Sequence, residues 1–170
     1  MIEDKTSFYS TTYGTLSIPE VLSAIKNFLE SDPKASYSLV IGTDSHEKLD
    51  GASGKRHINL VTAIVVYRKG FGGQYFWKRE NQGNIHSLRQ KIYAETLMSL
   101  DFARDFVPLL KKTLNGTSPD YDLEIHVDVG QHGDTREMIK EVVGMVTGYG
   151  FVAKTKPDSY AASYIADKHT

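Results

Sequence analysis

The chain has 170 residues and no cysteine, which excludes a disulfide scaffold, a zinc ribbon and a thiol nucleophile. Its 20 Lys and Arg stand against 21 Asp and Glu, for a net charge of −1. No bulk attraction draws it to nucleic acid or to an anionic membrane, so any such binding rests on a local patch.

In chain order, residues 1–16 are polar with interspersed aromatics and read as a strap lying on the domain. Ser17-Ile18-Pro19-Glu20 is a capping box with a proline suited to a first helical turn. Ile18, Val21, Leu22, Ile25, Phe28 and Leu29 then recur at helical spacing until Asp32-Pro33 stops the helix. Residues 1–34 thus form an N-terminal extension, ahead of a core over 35–170. A short apolar run at 37–44 predicts a strand buried on both faces. After a loop holding Gly51 and Gly54, the β-branched density of 57–68 predicts a second strand. The turn Lys69-Gly70-Phe71-Gly72-Gly73 leads to a third at 74–79, completing an antiparallel meander.

The pattern then switches to alternating elements. Ser87-Leu88-Arg89-Gln90 opens a long helix reaching at least Phe106, with Pro108 ending or kinking it. A strand is expected at 123–129, and Asp134-Thr135-Arg136-Glu137 caps a helix running to about Thr147. A fifth strand follows at 151–156, and Pro157-Asp158-Ser159 begins a last helix. This order predicts a mixed α/β fold, a five-stranded sheet covered by helices on both faces. The N-terminus, MIEDKTSFYS, carries no signal pattern, and no apolar run approaches the roughly 18 residues of a membrane span. A single domain over 1–170 in the cytoplasm is the expectation.

Four carboxylates fall where packing does not explain them. Asp44 ends the run Leu39-Val40-Ile41-Gly42-Thr43, and Asp128 stands within Ile125-His126-Val127-Asp128-Val129. An ionised carboxylate in such a strand is costly unless paired, hydrogen-bonded or bound to a metal. Period-two alternation puts Glu124, His126 and Asp128 on one face. Glu95 interrupts the helical stripe Leu88, Ile92, Ser99, Phe102, Phe106. Asp158 follows the last strand. Each has a plainer reading: Asp44 and Asp128 as turn formers, Glu95 as a snorkelling side chain, Asp158 as a helix N-cap. His46, His126 and His132 lack the spacing of a zinc site, and Ser45 lacks the setting of a hydrolase elbow.

Taken together the four point further. If the first and fourth strands are parallel neighbours, Asp44 and Asp128 converge at one end of the sheet. A parallel fifth strand delivers Asp158 there, and the long helix brings Glu95 across. Carboxylates gathered in that number repel one another unless a cation joins them. Hard oxygen ligands suit Mg²⁺ or Mn²⁺, and two such ions about 4 Å apart activate a water and stabilise the leaving oxygen of a phosphodiester.

The strand order and Gly42-Thr43-Asp44-Ser45 resemble the ribonuclease H-like superfamily, and within it the YkuK-type proteins of bacteria. The likeness runs from Phe8-Tyr9 through Ile41–Ser45 to Asp158-Ser159-Tyr160-Ala161-Ala162-Ser163 and Ala166-Asp167-Lys168-His169-Thr170. It implies that Asp44 and Asp128 bind metal. It also implies Glu95 as the helix carboxylate of the ribonuclease H branch, and Asp158 as the acid that opens the final helix of resolvase-like branches. Asp167, in an Ala-Asp step, is the rival of Asp158 for that fourth place. The expected function is a divalent-metal nuclease on RNA, an RNA–DNA hybrid or branched DNA, with a two-ion site of Mg²⁺ or Mn²⁺. The alternatives are a non-catalytic binding module on the same fold and a metal-dependent enzyme on a small phosphorylated substrate. Lys55-Arg56, Arg68-Lys69, Lys78-Arg79, Arg89 with Lys91, and Lys154 with Lys156 are candidate backbone contacts. Tyr75, Phe76 and Trp77 are a candidate stacking surface.

Overall fold

The structure is a computed structural model describing residues 6–49, 51–52, 56–83, 85–116, 119–161, 163–164 and 168. Its elements in chain order are β1 (Phe8–Ser10), β2 (Gly14–Leu16), α1 (Ile18–Glu30), β3 (Tyr37–Leu49), β4 (Arg56–Arg68) and β5 (Gly72–Gln82). Then come α2 (Leu88–Leu114), β6 (Tyr121–His126), a 3₁₀ turn (Arg136–Met138), α3 (Ile139–Gly148) and β7 (Val152–Lys154). All seven strands form one sheet in the order β2-β1-β5-β4-β3-β6-β7. The meander β3-β4-β5 is antiparallel, and β6 joins β3, then β7 joins β6, in parallel.

Two expectations are corrected. The sheet has seven strands where five were read, because the expected strap is a hairpin: β1 pairs with β2, and Tyr9 pairs with Trp77 of β5. Its turn reaches Gly14 at φ 77°, a backbone state open to glycine. Pro108 does not end α2, which runs on to a left-handed Asn115. The proline is exposed, so water can serve the carbonyl it leaves unbonded. Buried Val107, Leu110 and Leu114 hold the helix down on either side.

The core explains why the elements sit as they do. Leu39, Ile41, Ile64 and Phe76 from the sheet meet Val21, Ile25 and Leu29 of α1 and Leu100, Phe106 and Leu110 of α2 in one cluster, which Val142 and Val146 of α3 extend. Each such side chain, fully buried, contributes roughly 1.5–3 kcal/mol. The other face carries a smaller cluster of Val61, Ala63 and Trp77. There the C-terminal segment crosses, with Lys168 Nζ 5.7 Å from the Tyr75 ring centre. Alternation along β5 therefore divides the expected stacking surface: Phe76 is core, while Tyr75 and Trp77 face the opposite side. Among the described residues, no helix is long and apolar enough to cross a membrane.

Candidate functional site

Strand register assembles the site. In the parallel pair, Gly42 lies opposite His126, so Asp44 and Asp128, each two residues further on, come to the same end of the sheet, where both line one cleft. That is the carboxyl end of the parallel strands, where ligand sites of open α/β sheets gather. β6 stops at His126 while β3 continues to Leu49. Asp44 therefore lies just beyond the point where its strand loses a neighbour, beside the loop that carries Asp128.

Glu95 comes from α2, which is docked by buried hydroxyls. Ser99 Oγ donates to Thr43 Oγ1 at 2.9 Å, and Thr43 Oγ1 lies 3.0 Å from Thr62 Oγ1. One turn before Ser99, Glu95 is only 2% exposed, and neither of its carboxylate oxygens has a hydrogen-bond partner. Lys91 Nζ, one turn earlier again, makes a long ion pair with Glu95 Oε1 at 3.7 Å. Burial pushes the Glu95 carboxyl up to about 7, against the pull of the Ser45 hydroxyl and Lys91; Asp44 and Asp128 push the same way as burial. Asp44 is raised too, first by burial, partly offset by the Ser45 N–H on Oδ1 at 2.9 Å, and raised further by Asp128. These three carboxylates feel one another.

Two lysines answer them. Lys91 attracts Asp44 and Glu95, while Lys156 Nζ lies 2.7 Å from Asp128 Oδ1. The other expected basic pairs are placed differently. Arg68 and Lys69 stand at the far end of the sheet, where Arg68 pairs with Tyr37 and Lys69 Nζ is 2.9 Å from Asp122. Arg89 is tied to Glu141 at 2.8 Å, and Lys78 to Glu80. Lys55 lies outside the described residues.

Asp158 is not brought into this group. The turn that follows β7, closed by the Asp158 N–H on Thr155 O at 2.8 Å, leaves its side chain exposed. A narrow cleft of about 10 Å³, room for roughly one water or ion, is lined by Asp44, Asp128, His126, Ser159, Tyr160 and Ala161, among others, and not by Asp158. Asp167 lies outside the described residues.

His126 has a part that its sequence setting did not suggest. It is 4% exposed, and its Nδ1 accepts the backbone N–H groups of Tyr160 (3.1 Å) and Ala161 (3.4 Å). The proton therefore sits on Nε2, which donates to Glu124 Oε2 at 3.1 Å. Burial holds the imidazole below its usual range despite Glu124, which keeps Nδ1 an acceptor. The ring pins the C-terminal segment across the cleft. His126→Phe should lower stability by about 1–3 kcal/mol, since two N–H groups lose their acceptor. His126→Asn, with Oδ1 standing where Nδ1 was, should recover most of it. Urea denaturation of both variants checks this, and equal loss in both contradicts the role.

The donor set fits a hard divalent cation in chemistry: three carboxylates, one of them buried with neither oxygen hydrogen-bonded. Among the described residues, no three Asp, Glu or His side chains already stand close enough together to hold an ion, so the set would have to draw in.

A mixed sheet in the order β5-β4-β3-β6-β7, with carboxylates on β3, just past β6 and on α2, is the arrangement of a ribonuclease H-like protein. Comparison with known sequences agrees. The ribonuclease H-like family matches residues 20–170. The chain is also 34% identical, over 176 aligned positions and 98% of each chain, to the "Uncharacterized protein YkuK" of Bacillus subtilis (strain 168). The chain belongs to the ribonuclease H-like family, in its YkuK-type group. No solved structure matches it at the same stringency.

Proposed function

We propose that this chain is a divalent-metal-dependent nuclease that hydrolyses phosphodiester bonds in RNA, an RNA–DNA hybrid or branched DNA. The observation that carries the reading is Glu95, a carboxylate buried at the sheet end beside Asp44 and Asp128 with no hydrogen bond to either oxygen and only a long ion pair, 3.7 Å, to Lys91. A side chain left so costs stability that an apolar residue would not, and a cation removes the cost. Bound there, Mg²⁺ or Mn²⁺ would supply an activated water and charge stabilisation at the phosphate. Asp44, central between the other two, would be the shared ligand. Glu95 would hold the helix side, and Asp128 the loop side. Asp158, next to Ser159 of the cleft wall, would enter as a fourth carboxylate only through movement of its turn. The absence of cysteine suits a reducing compartment, and we assign the chain to the cytoplasm.

The second reading, a binding module on the same fold, draws on the ion pair that already neutralises Asp128 and on the near-zero net charge. One panel separates the two. Purified protein is incubated with Mn²⁺ and labelled hybrid, single-stranded RNA or junction DNA. Cleavage of at least one substrate that Glu95→Gln abolishes supports the nuclease. Mn²⁺ that neither raises the melting temperature nor supports any cleavage favours the module.

A further inference from the structure

β7 extends the register one strand further. His126 lies opposite Lys154 as well as opposite Gly42, so Lys156, two residues past β7, comes to the end of the sheet that holds Asp44 and Asp128. Past the strand ends the register shifts. The Val127 N–H donates to Lys154 O at 2.9 Å, but the Val129 N–H turns back on Val127 O at 2.9 Å and the Lys156 N–H donates to Val129 O at 2.7 Å, so the chain bulges out at Asp128 and Lys156 comes level with Gly130. Three adjacent segments thus bring Asp44, Asp128 and Lys156 to one end of the sheet, and the ammonium closes on Asp128 Oδ1 at 2.7 Å. The stem of Lys156 reaches there along the backbone of Gly130. A Cβ on Gly130 would sit 3.1 Å from Lys156 Cβ, tighter than ordinary contact, so the loop leaves room for this side chain. Asp44, Asp128 and Glu95 all act on the Lys156 ammonium, which marks it as a member of the cluster.

We propose that Lys156 is the fixed second cation of this site, so that the cluster takes one divalent ion and not two. This rests on the divalent-metal reading above. The charges favour it. Three carboxylates with Lys91 and Lys156 leave a single negative charge, which one divalent ion already overcompensates, while a second would have to enter against an excess of positive charge. The ammonium engages one oxygen of Asp128, leaving a carboxylate of two oxygens able to serve the ion as well. Held at that place, the ammonium can also face a non-bridging oxygen of a bound phosphate as a point charge.

The test is Mn²⁺ titration by calorimetry on the full chain, compared across wild type, Lys156→Gln and Lys156→Arg, with melting curves to confirm that each is folded. The expected result is one ion per chain in the wild type and in Lys156→Arg, and two in Lys156→Gln. Two ions in the wild type, or one ion bound with unchanged affinity in Lys156→Gln, overturns the role of Lys156 and leaves the metal reading intact. An ion taken up only by Lys156→Gln also overturns it, because the lysine would then exclude the metal. Binding in none of the three overturns the metal reading and this inference with it.

Discussion

Replacing Asp44 with Asn should lower Mn²⁺-supported cleavage by at least about 100-fold, the scale on which a preorganised charge-stabilising group acts. The same change should leave the metal-free protein as stable as before, or more so. Asn keeps the shape and can still accept the Ser45 N–H that now bonds Oδ1 at 2.9 Å. What it removes is a charge that burial and Asp128 both disfavour. A residue kept for packing would behave the other way, losing stability and sparing metal affinity. Calorimetric Mn²⁺ titration and thermal melts of Asp44→Asn decide the matter; a folded but destabilised variant with unchanged metal affinity would falsify the assignment.

Stability of the metal-free protein should also fall as pH rises between about 4.5 and about 7, because of Glu95. Its carboxyl titrates near 4.5 in the unfolded chain and about 7 in the fold. Below 4.5 it is neutral in both states, and the fold carries no penalty. As pH climbs through the window the unfolded state ionises first, so the equilibrium shifts toward it until the folded carboxyl ionises as well. The gap corresponds to about 3 kcal/mol. Other carboxylates titrate in the same range, so the measurement is the difference between wild type and Glu95→Gln in urea denaturation at several pH values. That difference should move by about 3 kcal/mol in favour of the variant as pH rises. Saturating Mn²⁺ should flatten it, since a bound cation favours the charged carboxylate. A difference that stays constant from pH 4.5 to 8 without metal would mean that Glu95 is solvated.

Much of this arrangement was legible in the residues. Glu95 announced itself by interrupting an apolar stripe, because helical periodicity assigns a position to the core whatever residue occupies it. Asp44 and Asp128 were legible as charges inside apolar runs, and the switch from meander to alternating strands and helices implied the parallel pairing that joins them. Three things were not. The β1–β2 hairpin has strands of three residues, too short for alternation to register above a polar background. Pro108 signals a helix end, yet burial on both sides of it outweighs one lost hydrogen bond. The fourth place at the site depends on the path after β7: Asp158 looks right by its position after a strand, but Lys156 is the residue that closes on Asp128, and Asp158 falls in the turn beyond. That path is set by tertiary contacts, and composition does not reveal it.

The parallel pairing of β3 with β6 also bears on how the molecule reaches its native state. Gly42 and His126 meet across a long loop that contains β4, β5 and α2, so their pairing must meet a large closure entropy before any contact across it is gained. The β3–β4 and β4–β5 hairpins are local and can form first, since such pairs close in microseconds. Asp128 cannot stand beside Asp44 until the distant segment has docked in its one correct register, because a slip of one residue would turn it to the opposite face. The carboxylate cluster is therefore a late product of folding. A partly folded chain, although it already carries the meander, has not yet brought Asp128 to the end of the sheet where Asp44 stands.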